Sequence, residues 1–356
     1  MRPVVGETEI DALLRQNRSF AVYRLPGGKE AHLIKQAARS AGIILPSIES
    51  LNDQTGFVIA PFSFSETCPI VLIEPDEEAG FEIPDVEEII GKNDYIGEKP
   101  SSVYQSKFNL FTQALAEKWF EKLVLSQCVT FPIKSGFSPQ TVFYRACKRY
   151  TRSYVYLFNT PQTGTWIGST PEVLLSGKEN QWFTVALAGT RLIRNGKLPE
   201  SWDEKNREEQ QLVTDYVRNC LLSFDICPEI KGPYTVQAGD LAHLRTDFCF
   251  SLHHDQTVGE LLNALHPTPA VSGLPKEKAF RFIIENEGYD RRYYSGFVGR
   301  IRPKGQTDLY VNLRCMKIED NCLTLYAGGG LLASSDLREE WRETEDKLQI
   351  MFRIIE

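Results

Sequence analysis

The sequence predicts an α+β fold, with large antiparallel sheets forming a sandwich-like core flanked by helices. Short apolar, β-branched runs separated by polar turns outnumber strand–helix–strand units. No GxGxxG turn and no P-loop marks the doubly wound alternative. The 356 residues, 42% of them hydrophobic, suffice for one large core or two lobes.

Taken in order, residues 20–25 read as a strand closed by a Pro26-Gly-Gly turn, and residues 56–62 and 70–74 as further short strands. The rest of the first 95 residues has no clear period. The acidic, turn-rich stretch 75–100 is the expected linker. Tyr104, Phe108, Phe111 and Leu115 recur at helical spacing over 102–118. A strand over 122–131, a helix over 140–150 and strands over 154–158, 165–168 and 183–189 follow. Residues 202–223 form a long helix, charged in its first half and apolar in its second. A helix over 259–265 stops at His266-Pro267, and strands are expected over 298–302, 309–316 and 322–326. A glycine run and a polar turn then lead into a terminal helix. Residues 1–98 are expected to complete the sheets of a catalytic portion spanning 99–356, as one compact unit.

The net charge is −7 and no basic block occurs, which argues against nucleic-acid binding. No apolar run approaches the ~18 residues of a membrane span. Residues 1–7 hold no apolar leader core, so a cytoplasmic location is expected. The eight cysteines lack C-x-x-C pairing and read as buried reduced thiols. The chain is expected to be a monomer or weak homodimer.

Chemistry concentrates at a few places. Glu340, Glu343 and Lys347, three and four residues apart, share one helix face. Gly328, Gly329 and Gly330 lie just upstream as an open glycine loop, where backbone amides can approach a ligand. Two carboxylates and an ammonium beside such a loop suit a metal and an anion; a solvated helix with an i,i+4 Glu–Lys pair explains the spacing as well. Glu209, beside Glu208 on the long helix, can join Glu343 on one Mg2+, or simply face solvent. Lys122 opens an apolar strand, where a lysine ordinarily snorkels to water; buried, it becomes a candidate general base. Glu172, in Gly168-Ser-Thr-Pro-Glu, is either a helix-start acid or a protonated general acid in apolar surroundings. Arg314 stands in an otherwise apolar strand. If buried it must meet a carboxylate of the protein or of a ligand; on an edge strand it faces solvent.

Six motifs in order resemble the chorismate-utilising enzymes, the family of isochorismate, salicylate, anthranilate and aminodeoxychorismate synthases. They are Lys122-Leu-Val-Leu-Ser, Gly168-Ser-Thr-Pro-Glu172, Ala188-Gly-Thr190, Glu208-Glu209-Gln-Gln-Leu-Val, Leu265-His-Pro-Thr-Pro-Ala270-Val and Glu287…Arg291…Tyr294-Ser-Gly296. Arg314 and Ala327-Gly…Glu343…Lys347 close the set, which covers about residues 100–356. The resemblance implies that Glu209 and Glu343, with Glu340 nearby, hold a Mg2+ that binds the ring carboxylate of chorismate. Tyr294, Arg314, the Gly328–Gly330 backbone and Lys347 would hold the pyruvyl carboxylate, while Thr190 and His243 line the ring pocket. Glu172 would protonate the departing C4 hydroxyl and Lys122 would activate water for attack at C2.

Two positions bear on the branch. The ammonia-using members do not usually carry a lysine at the position of Lys122, and the pyruvate-eliminating members typically have threonine at that of Ala270. Both favour an isochorismate synthase, serving menaquinone or siderophore synthesis, over a salicylate synthase or a catalytically weak chorismate-binding protein. Gln210 departs from the family's usual histidine after the metal-binding glutamate.

Overall fold

The computed structural model describes residues 8–37, 41–87, 99–193, 196–252, 257–302 and 305–355. Two nine-stranded sheets carry the architecture. The first has the order β14 (Gly273–Leu274), β7 (Lys122–Pro132), β18 (Cys322–Leu331), β17 (Cys315–Ile318), β9 (Gly164–Thr170), β8 (Tyr154–Thr160), β1 (Phe20–Arg24), β2 (Glu30–Lys35), β6 (Glu77–Glu82). The second has the order β12 (Glu229–Ala238), β13 (Leu241–Phe250), β11 (Gln181–Leu192), β10 (Val173–Lys178), β16 (Thr307–Val311), β15 (Phe297–Ile301), β4 (Gly56–Ala60), β5 (Ile70–Ile73), β3 (Ile43–Leu45). All the strand pairings among the described residues are antiparallel. The fold is α+β.

The sheets face each other through an aromatic layer. Tyr23, Tyr154, Tyr156, Phe158 and Trp166 of the first sheet meet Phe57, Ile59, Val298 and Tyr310 of the second. Tyr154 and Tyr310 stack across the interface with ring centres 4.1 Å apart. Strands buried on both faces favour apolar residues at every position, which explains continuous runs such as residues 154–158. The outer face of the first sheet is covered by α1 (Thr8–Arg15), α3 (Pro139–Arg149) and α7 (Leu337–Ile355). That of the second is covered by α4 (Glu204–Leu222) and α5 (Val258–Leu265). Helices α2 (Ser102–Ala116) and α6 (Lys276–Asn286) pack together beside β7 and β18.

Several expectations change. The stretch expected as a linker contains β6, an edge strand paired with β2, and its residues 88–98 lie outside the described ones. Its charges mislead because an edge strand leaves one side to water. The single strand expected over 309–316 is two strands in different sheets, β16 and β17, parted at Asn312–Arg314. The glycine run is no open loop: Gly328–Gly330 are in β18 and pair with Ser126, Leu125 and Val124 of β7. The sequence reading also missed α1, α6, β2, β3, β6, β12, β13 and β14. Long pairs such as β12–β13 alternate only partly in polarity because one strand of the pair is the sheet's edge. All eight cysteines are free, but Cys128, Cys227 and Cys249 are exposed rather than buried.

Arg24 ties the first strand to the rest. Its buried guanidinium donates to the carbonyls of Leu25, Cys147, Tyr150, Thr151 and Ser153 at 2.7–3.2 Å. Arg24→Leu leaves these acceptors unsatisfied and is expected to lower stability by about 3 kcal/mol. Urea unfolding checks this; a loss below about 0.5 kcal/mol would show that water replaces the bonds.

Candidate active site

Two of the chain's crossings from one sheet to the other are adjacent, and the candidate site lies between them. Pro171–Glu172 connects β9 to β10, and Asn312–Arg314 connects β16 to β17. The crossings are laced together: Val311 N donates to Glu172 O at 2.9 Å and Ser169 N to Arg314 O at 3.1 Å. Asn312 fixes the second turn, donating through Nδ2 to Tyr293 O at 2.7 Å and accepting from Tyr156 OH. Arg314 has φ 48°, a left-handed conformation that costs a residue with a Cβ about 1 kcal/mol. The turn pushes its side chain out of both ladders and into the cleft.

Val124, Glu172, Thr190, Glu209, His243, Ala270, Val271, Tyr294, Arg314, Tyr326, Gly328, Gly330 and Lys347 line this cleft. The structure thus gathers most of the residues expected from sequence. Lys122, Gly329, Glu340 and Glu343 lie immediately behind the lining. Lys122 does not snorkel; it is fully buried, with Nζ 2.9 Å from Glu209 Oε1. Arg314 is likewise buried rather than on a solvent face.

Electrostatics divide the cleft in two. On one side Glu172 is buried, and burial pushes its carboxyl up to about 7 against the pull of Lys122, Arg314 and Lys347. Arg314 donates to His243 Nε2, and His243 Nδ1 lies 2.9 Å from Gly189 O. Donation from Nδ1 to that carbonyl leaves Nε2 as the acceptor. Burial, then the charges of Arg314 and Lys347, hold the imidazole neutral, well below its ordinary value. Burial also lowers Arg314, to about 10, and Glu172 is the first of the groups opposing that. No carboxylate of the described residues forms an ion pair with Arg314, so its charge is available to a ligand anion.

On the other side, three carboxylates meet three ammonium groups. Lys122 pairs with Glu209, and Lys347 Nζ lies 2.8 Å from Glu343 Oε1. Lys205, which the sequence reading missed, lies 2.8 Å from Glu340 Oε1 and 3.8 Å from Glu209 Oε2. Its i,i+4 spacing to Glu209 was the available signal. Burial works against the charge of Glu209, but Lys122 and Lys205 outweigh it and lower the carboxyl. Burial raises Glu340; Lys205 opposes this and the neighbouring charge of Glu343 adds to it.

Glycines permit this crowding. A Cβ on Gly330 would collide with Glu209 Oε1 and come within 2.8 Å of Lys122 Cε. One on Gly329 would sit 3.3 Å from Glu340 Oε2 and 3.6 Å from Glu343 Oε1.

Among the described residues no three His, Cys, Asp or Glu side chains form a ready metal cluster. The donor chemistry nevertheless fits Mg2+, which takes one or two carboxylates and completes its shell with water and substrate oxygens. Glu340 Oε2 is buried with no hydrogen-bond partner, beside the carboxylate of Glu343. Gln210 takes no part. Its Oε1 accepts from Ala188 N at 2.8 Å and its Nε2 reaches Ala186 O and Thr246 Oγ1, so it fastens α4 to the second sheet.

Two supports complete the walls. Asn206, at the start of α4, accepts from Thr190 N at 3.0 Å and packs against Gly189, which takes φ +66° in the bulge between Ala188 and Arg191. The Ala270–Val271 turn is held against β7 by Arg291, which donates to Val271 O at 2.7 Å and Val124 O at 3.0 Å and is paired with Glu287 at 2.6 Å. Tyr294 and Tyr326, both in the lining, stack with ring centres 5.5 Å apart.

Gly330→Ala is expected to displace Glu209 or part β18 from β7, lowering stability by about 1–3 kcal/mol. Thermal unfolding checks this. A melting point equal to that of the parent would mean that the carboxylate cluster is free to shift.

The profile of the chorismate binding enzymes matches residues 82–356. Isochorismate synthase EntC of Escherichia coli K12 is 29% identical over 242 residues, covering 66% of this chain and 62% of EntC. The chain therefore aligns with less than two thirds of that relative's length. Among solved structures, MenF, the menaquinone-specific isochorismate synthase from Escherichia coli, superposes with a TM-score of 0.80 at 20% identity, over 99% of this chain and 93% of MenF. Anthranilate synthase component I from Streptococcus pneumoniae superposes with a TM-score of 0.71 at 18% identity, over 94% and 90%. These two likenesses are of fold. The profile spans most of the sequence, and the chain belongs to the chorismate binding enzyme family.

Proposed function

We propose that the protein is an isochorismate synthase: water adds at C2 of chorismate and the C4 hydroxyl leaves with an allylic shift, reversibly. The observation that carries this reading is a buried acid and a buried lysine at one cleft. Lys122 is the first of the cations acting on Glu172, and it packs against Gly330 in the cleft wall. Glu172, protonated below about pH 7, donates its proton to the departing hydroxyl. Lys122, as the neutral amine, takes a proton from the attacking water and becomes the ammonium that pairs with Glu209. Arg314, Tyr294 and Lys347 hold the pyruvyl carboxylate beside the glycines of β18, whose ladder with β17 reaches only to Leu325. The neutral His243 accepts from Arg314 and aims it, and with Thr190 it lines the ring pocket. Mg2+ on Glu209, Glu343 and Glu340 would supply the positive charge that binds the ring carboxylate.

Ala270, with no hydroxyl to offer, supports a reaction that stops before pyruvate is eliminated. The name of the EntC relative supports the same chemistry. The product would enter menaquinone or siderophore synthesis in the cytoplasm; among the described residues no helix is long and apolar enough to cross a membrane.

The test is product analysis of purified protein with chorismate and Mg2+, against a metal-free control. Isochorismate without pyruvate is expected. Salicylate with pyruvate would move the reaction to the eliminating branch, and bound chorismate without turnover would leave a binding protein. Lys122→Ala should lower turnover by roughly 100-fold or more while chorismate still binds; lost binding would make the lysine structural.

The pH dependence has a definite sign. Glu172 must carry its proton to act, so kcat/KM should hold below about pH 7 and fall above it. In Glu172→Gln the residual rate should lose this falling limb; an unchanged limb would assign it to another group.

A further inference from the structure

Lys205 stands where a cation is needed and no reaction step requires it. Its ammonium lies between helix α4 and helix α7, 2.8 Å from Glu340 Oε1 and 3.8 Å from Glu209 Oε2. Both carboxylates are among those that fit Mg2+. Burial disfavours its charge, but Glu209, Glu343 and Glu340 more than offset this and keep it protonated. Without it, two buried carboxylates would face each other with one fewer counter-charge, the arrangement in which like charges raise each other's cost.

We propose that Lys205 is a placeholder cation, which holds Glu340 and Glu209 together while the divalent site is unloaded and withdraws when the divalent cation enters. This rests on the metal reading given above. Three features support the exchange. The cluster of Glu209, Glu340 and Glu343 with Lys122, Lys205 and Lys347 is balanced in charge, so a bare divalent ion entering it must displace positive charge or arrive with an anion. The Lys205 side chain is about one-fifth exposed, unlike that of the fully buried Lys122, so it has a path to water. A lysine brings a point charge on a flexible four-carbon stem, which can leave without breaking a fixed fork of hydrogen bonds. Among the described residues no three-carboxylate cluster is preformed, and the ammonium sits between Glu209 and Glu340.

Mn2+ titration of the full chain, stripped with chelator and followed by the EPR signal of free Mn2+, tests this without turnover. Without chorismate, Lys205→Met should bind Mn2+ roughly tenfold tighter than the parent or better, because a cation no longer competes. The metal-free variant should melt below the parent and recover on adding Mn2+. Lys205→Arg, which keeps the charge, should bind Mn2+ no tighter than the parent. Equal or weaker Mn2+ binding by folded Lys205→Met would overturn the placeholder role and leave Lys205 a structural ion pair. If parent and variant both fail to bind Mn2+ even with chorismate present, the metal assignment falls, and the placeholder with it.

Discussion

The buried pair Lys122–Glu209 is the interaction on which the site depends. Lys122 begins β7 in the first sheet; Glu209 lies on α4, which packs on β11 of the second. Lys205 and Glu340 add a second link, from α4 to α7, which lies on β18. The charges are therefore the seam between two halves of the molecule. Burying such groups is expensive, and losing one partner of a buried pair ordinarily costs about 3–5 kcal/mol. That cost makes the cluster specific: the two sheets are held at one spacing at this edge, because only there is each carboxylate matched by an ammonium. The glycines of β18 are part of the same constraint, since the carboxylates occupy the space where Cβ atoms would stand.

A sandwich usually keeps each strand in one sheet and leaves its interior dry. Here two of the passages between the sheets run side by side, and each of these frees one functional side chain from a ladder. Glu172 follows β9, and Arg314 precedes β17. Burial shifts each toward its neutral form, and among the described residues no ion pair neutralises either. Such residual strain and incomplete pairing belong at a site that completes itself with a ligand.

A protein of net charge −7 attracts no dianion at long range. Local groups must do it, and the cleft offers Arg314 on one side and, on the other, Lys347 with a carboxylate set suited to a divalent cation. The fold alone does not choose the reaction, since anthranilate synthase component I shares it at a TM-score of 0.71. On the proposed reading the choice lies in single side chains, above all the buried lysine at 122 and the small residue at 270.

How much was legible depends on distance along the chain. The α+β class, helices α2, α4 and α7 and the apolar strands of the core were readable, because each repeats its pattern over four or more residues. Most of the residues that line the cleft were readable as an ordered set of motifs. Edge strands such as β6 and the split of 309–316 into two strands were hidden, since polarity reports water and not the sheet to which a strand belongs. The glycine run looked like a loop because glycine is poor in strands, and only its close approach to Glu209, Glu340 and Glu343 explains it. Lys122 was left open between surface and interior by its local pattern, and Lys205 was passed over, for one reason: a lysine's burial is decided by carboxylates far away in sequence. The sequence by itself determined which residues are acids, bases and cations, and the periods that place them on strands and helices. Tertiary structure alone decided which charges meet, because the energy of a buried ion pair depends on the dielectric and the partner that folding supplies.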